Sequence, residues 1–136
     1  MGVPPISAQR FRQNESNFAS GVTLEGSSSS HDRGQVYLNG RPLCDDGIEQ
    51  GAMWDINDAK VICRMLGFST ATQKYIDSCP YGDCPRGLSF VMSGFNCTGT
   101  EDHIIDCPHD GTVSDKCGSS GVTDGSGTDF VAVVCA

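Results

Sequence analysis

Eight cysteines in 136 residues, at 44, 63, 79, 84, 97, 107, 117 and 135, constrain this chain more than any other feature. An even count at irregular spacing reads as a disulfide framework formed in an oxidising compartment. The competing reading is zinc, whose structural sites usually draw ligands from close pairs such as C-x2-C. Only Cys79 and Cys84 lie close, as C-x4-C, so disulfides and a secretory route are the expectation. Hydrophobic residues make up 38% of the chain. That is enough for one domain with a thin core, the situation in which covalent staples matter most.

The net charge is −8, and the nine lysines and arginines are scattered. Nucleic acid, whose phosphates demand a basic patch, is excluded as a partner on that ground. An acidic surface favours cations or basic partners, or serves solubility alone. Residues 1–20 lack the apolar run of about 7 to 15 residues that a signal peptide needs. Met1-Gly2 is therefore expected to begin either an expressed segment or a mature fragment, and no stretch suits membrane insertion. Residues 1–19 read as a flexible tail and 20–136 as a single domain. Asn14-Glu15-Ser16 and Asn96-Cys97-Thr98 are candidate glycosylation sequons.

Along the domain, Val22 with Leu24 and Val36 with Leu38 mark two short alternating strands around a serine-rich loop. Asn39-Gly40 is a turn signal after the second. In "DINDAKVICRMLGF", Ala59, Ile62, Cys63 and Leu66 recur at i, i+3, i+4 and i+7, which predicts a helix with Cys63 on its buried face. Asp55, Asn57 and Asp58 are candidate N-caps, and Gly67 suits the left-handed C-terminal position. "TEDHIIDC" predicts a further helical turn, with Thr100 as cap and Ile104 and Ile105 packing inward. "FVAVVCA" reads as a buried strand.

Asp45 and Asp46 follow Cys44 directly. Two such charges about 4 Å apart at an effective dielectric near 20 repel by about 4 kcal/mol. A hard cation such as calcium reverses that sign, whereas capping a turn or meeting an arginine is the plainer use of the pair. No catalytic arrangement accompanies them: there is no G-x-S-x-G elbow, and His103 and His109 fit no H-E-x-x-H motif. His109 reads as a turn residue, and the chain as a non-enzyme.

The segments "VTLEGSSSSHDRGQVYLNG", "CDDG", "WDINDAKVICRMLGF", "FNCTGTEDHIIDCPH", "DKCG" and "FVAVVCA" resemble, in this order, those of the scavenger receptor cysteine-rich domain. The resemblance covers about residues 20 to 136 and implies an α+β fold, a curved antiparallel sheet cradling one principal helix. Carried over, it pairs Cys44 with Cys117, Cys63 with Cys135 and Cys97 with Cys107, leaving Cys79 to bridge Cys84. Phe68 stands where an eight-cysteine subgroup has a further cysteine, so the chain is similar to the six-cysteine type with one extra pair.

The chain departs from the family pattern in three places. "IEQGAM" lengthens the first loop, so that Trp54 rather than Ile48 takes the family tryptophan's place. "SSGVTDGSGT" is inserted before the last strand, and Ser93, Gly94 and Phe95 replace an Asp-Asp-Val. The resemblance implies one calcium site at Asp45, Asp46 and Asp129, with Asp129 standing for a usual glutamate. It implies loss of a second site, whose positions are Ser93, Gly94 and Lys116. It further implies an extracellular module, secreted or in a membrane protein's ectodomain, that recognises proteins or polyanions such as glycans and microbial surfaces with calcium. The alternative is a protein-contact or regulatory module of a larger chain in which any metal is structural.

Overall fold

The computed structural model describes residues 21–48 and 53–136. The expected N-terminal tail and the Asn14 sequon lie outside the described residues. Among the described residues, seven strands and one α-helix run in the order β1 (Val22–Ser30), β2 (Arg33–Leu38), β3 (Arg41–Pro42), α1 (Ile56–Met65), β4 (Ala71–Ile76), β5 (Arg86–Ser89), β6 (Val122–Asp124) and β7 (Val131–Cys135). The main sheet is antiparallel in the order β1-β2-β7-β4, with β3 also paired to β2, and β5 with β6 forms a separate ribbon. The architecture is α+β.

The helix forms where the periodicity places it because both ends are chemically specified. Asp55 accepts from the N–H groups of Asn57 and Asp58, while the Asp58 carboxylate accepts from Asp55 N–H, a reciprocal capping box. Asp58 also accepts Cys97 N–H at 3.0 Å, so the cap ties the helix start to a distant loop. Gly67, at φ 94°, ends the helix in the left-handed region. Ala59, Ile62 and Cys63 are wholly buried, whereas Leu66 is only half-buried and Val61 and Met65 join the core instead. The helix packs on β4 and β7, and Cys63 is bonded to Cys135 at the end of β7. Every residue of β7 is buried, as expected of a central strand covered by a helix.

Two local expectations are corrected. The serines at 27–30 continue β1 rather than forming a loop. They do so across an irregular register between Glu25 and Ser30, where Ser28 N–H bonds to Tyr81 O. Gln35 of β2, 1% exposed, explains the arrangement: its amide donates to Gly82 O and accepts from Tyr81 N–H, docking the 79–84 loop on the strand pair. The second helical turn is a 3-10 segment, Ile104–Asp106, capped by His103 Nδ1 rather than Thr100, whose hydroxyl bonds Thr98. A 3-10 turn buries only one of two adjacent residues here: Ile104 is 0% exposed and Ile105 54%.

The disulfides join Cys44 to Cys117, Cys63 to Cys135, Cys79 to Cys84 and Cys97 to Cys107. Trp54 is buried edge-on against Phe95, while Ile48 is exposed. The 119–128 insertion supplies β6, which pairs with β5 and covers Phe90 through the Phe90 N–H bond to Gly121 O.

Candidate cation site

The Cys44-Asp45-Asp46 turn is held from three sides. Cys44 forms an antiparallel bridge with Phe130, and Cys44 N–H donates to Met92 O. Asp45 N–H donates to Asp129 O at 3.0 Å, its carbonyl accepts from Trp54 N–H, and Asp46 O accepts from Gly94 N–H. These bonds set the turn beside Asp129, two residues before β7. The Cys44–Cys117 disulfide then brings Gly118 to the same place, where its N–H donates to Asp129 Oδ2 at 2.6 Å.

Two of the three aspartates expected to share a site, Asp45 and Asp129, lie together. Oxygens of Asp45 and Asp129 lie within 4.8 Å of each other, and both side chains are buried. Cys44 Sγ is equally near but is committed to its disulfide. Asp46 is half-buried beside them. Asp129 adopts φ 71°, a left-handed conformation that Asp tolerates better than most residues because its short polar side chain bonds locally.

A fourth carboxylate, absent from the sequence reading, belongs to the cluster. Asp77, directly after β4 and at φ 52°, donates its N–H to Asp45 Oδ2 at 3.0 Å, and accepts Asp129 N–H on its Oδ1 at 3.0 Å. Nothing in "YIDSC" distinguishes it from any aspartate after a strand; only the pairing of β4 with β7 brings it here.

The electrostatics of the cluster are unbalanced. Burial, reinforced by Asp129 and Asp77, pushes the Asp45 carboxyl up to about 9. Burial and Asp129 raise Asp46 to about 6, with Lys116 pulling the other way. Asp45 Oδ1 is buried and has no hydrogen-bond partner. Among the described residues the ion pair is Arg33 with Asp32, remote in sequence from the turn, so the arginine-paired account of Asp45 and Asp46 is not what the structure holds. An orphaned buried carboxylate oxygen facing further carboxylates is an all-oxygen donor set suited to a hard cation.

The positions of the family's second site are arranged differently. Ser93 Oγ donates to Asp110 Oδ2 at 2.8 Å and accepts Ser114 N–H, while Asp110 also accepts Ile48 N–H. A Cβ on Gly94 would stand 2.5 Å from the Asp110 carboxylate, so Asp110 fills the space over that glycine. Lys116 is exposed and bonds Ser114 only through its backbone N–H. His109 is a turn residue whose Nδ1 bonds Cys107 O. The Asn96 side chain of the second sequon is exposed.

A sequence model of the scavenger receptor cysteine-rich domain matches residues 24–136. This chain belongs to that family. Relatives include a scavenger receptor cysteine-rich superfamily protein of Patiria pectinifera, 33% identical over 68% of this chain and 8% of that protein. Galectin-3-binding protein of Bos taurus is 32% identical over 68% of this chain and 16% of its own length. Lysyl oxidase homolog 3 of Homo sapiens is 35% identical over 67% and 12%. The solved SRCR domain of mouse MARCO, in a dimeric form, aligns at a TM-score of 0.49 and 29% identity, covering 88% of this chain and 98% of that one. This chain thus spans a small fraction of its curated relatives' length. SRCR domains are generally ligand-recognition and protein-interaction modules, typically extracellular, and relatives of this chain include both a binding protein and lysyl oxidase homologues. No helix among the described residues is long and apolar enough to cross a membrane.

Proposed function

We propose that this SRCR domain recognises anionic ligands, polysaccharide or acidic protein surface, with the help of one calcium ion held by Asp45, Asp46 and Asp129. The observation that carries the reading is Asp45: 1% exposed, its Oδ1 without a donor, and its nearest charged neighbours also carboxylates. Calcium takes six to eight oxygens in irregular geometry, which turn carboxylates, carbonyls and water supply. When bound, it lends the acidic turn a positive charge that an anionic group of the ligand can meet. The protein's own part is to hold the three carboxylates in place through the Cys44–Cys117 bridge and the Asp45–Asp129 backbone bond.

The test is binding of dextran sulfate to wild type and Asp46→Ala, each in calcium and in chelator. Binding by wild type in calcium alone, and by the variant in neither, is the expected pattern. Equal binding by wild type with and without calcium overturns it. The second reading, a protein-contact module within a larger extracellular chain, is favoured by the exposed apolar side chains of Ile48 and Met53 on either side of residues 49–52. It predicts polymer-independent partner binding that survives chelation.

A further inference from the structure

Asp45, Asp77 and Asp129 close a ring of hydrogen bonds. Asp45 N–H donates to Asp129 O, Asp129 N–H donates to Asp77 Oδ1, and Asp77 N–H donates to Asp45 Oδ2, each at 3.0 Å. Asp77 lies 32 residues from Asp45 and 52 from Asp129, so the ring is a tertiary feature, not a local turn. Its effect on Asp45 is specific. One carboxylate oxygen is occupied by the Asp77 amide, and the other, buried, is left without a partner beside Asp129.

We propose that Asp77 is a fourth residue of the cation site, a positioning residue that aims Asp45 and clamps Asp129 while adding its own negative charge to the cluster. The proposal rests on the calcium reading above. A purely structural clamp does not account for the charge: asparagine offers the same side-chain acceptor to Asp129 N–H, accepts the φ 52° conformation, and adds no repulsion to the carboxylates already gathered there. A carboxylate here is costly to the empty protein and useful only where a cation is to be held, because cation affinity in oxygen sites rises with ligand charge. The orphaned Asp45 oxygen is the independent sign that the cluster faces a ligand rather than merely itself.

Calcium titration calorimetry on wild type, Asp77→Asn and Asp77→Gly, with melting of each in chelator, tests this. Asp77→Asn keeps the ring and loses the charge, so its calcium affinity should fall by about fivefold while its melting temperature in chelator stays level or rises. Asp77→Gly keeps the amide and the left-handed backbone but loses both clamp and charge, and should bind calcium more than about tenfold more weakly. If Asp77→Asn binds calcium within twofold of wild type, Asp77 is a structural clamp and the proposal is overturned, whatever the glycine variant does. If wild type itself binds no calcium at millimolar concentration, the calcium reading fails and this inference falls with it, an outcome distinct from the first.

Discussion

Replacing Asp45 with asparagine isolates what the empty site costs the fold. In the unfolded chain Asp45 titrates near 3.8, whereas burial among Asp129 and Asp77 lifts it to about 9 in the folded protein. The folded state therefore holds a proton that the unfolded state has released. Stability from this residue is greatest below 3.8 and declines as pH rises between 3.8 and about 9, by about 1.36 kcal/mol per pH unit. At pH 7 the accumulated cost is about 4 kcal/mol as a ceiling. Asparagine has no such slope. Its carbonyl can still accept Asp77 N–H, and its amide can donate toward Asp129, satisfying the position that Asp45 Oδ1 leaves orphaned. In chelator, Asp45→Asn should exceed wild type by less than about 1 kcal/mol at pH 4.5 and by about 2–4 kcal/mol at pH 7. A gain of that size raises the melting temperature by on the order of 10 °C. Scanning calorimetry at pH 4.5, 7 and 8.5 reads this directly. In calcium at about 10 mM the comparison should narrow, since a site of Kd about 10⁻⁴ to 10⁻³ M returns about 1.4–2.7 kcal/mol to wild type only. A variant less stable than wild type in chelator at pH 7, or a gap that does not widen from pH 4.5 to 8.5, refutes the electrostatic account of the cluster.

Calorimetry should find one calcium per chain, because Asp110 fills the space over Gly94 at the other family position; two ions would overturn that reading. Removing Cys63–Cys135, which closes 72 residues and is buried at Cys63, should cost about 4 kcal/mol in chain entropy plus a packing loss, against about 2 kcal/mol for Cys79–Cys84, which closes five; urea melts of the paired serine variants rank them. Gly118→Ala should destabilise by about 2–4 kcal/mol and weaken calcium binding together, since its Cβ would stand 2.2 Å from Val122 O at φ 55° and its N–H holds Asp129 Oδ2; a near-neutral melt with unchanged affinity would contradict both roles.

The parts legible in the sequence are those whose determinants lie within one or two turns of chain. The capping box at Asp55 and Asp58, the apolar face of Ala59, Ile62 and Cys63, the Asn39-Gly40 turn with both residues at positive φ, and the unbroken apolar run of β7 are all set by neighbouring residues. The local rules misjudged Ser27–Ser30 and Ile105. There a buried glutamine on β2 and the 79–84 loop, or the tighter pitch of a 3-10 turn, outweighs propensity.

For the site the division is sharper. The sequence by itself determined that two carboxylates stand side by side after Cys44, and its resemblance to the family implied Asp129 as their partner. It could not supply Asp77. That residue enters only because β4 pairs with β7 and so delivers the end of one strand to the beginning of the other, 52 residues away. Nor could it decide that Asp45 would be buried with one oxygen bonded and one bare, or that Asp110 would lie over Gly94. Adjacent residues constrain each other through bonded geometry, which the sequence displays. Burial and the direction of a carboxylate depend on which distant backbone amides come to face it, and only the packed sheet, helix and disulfides determine that.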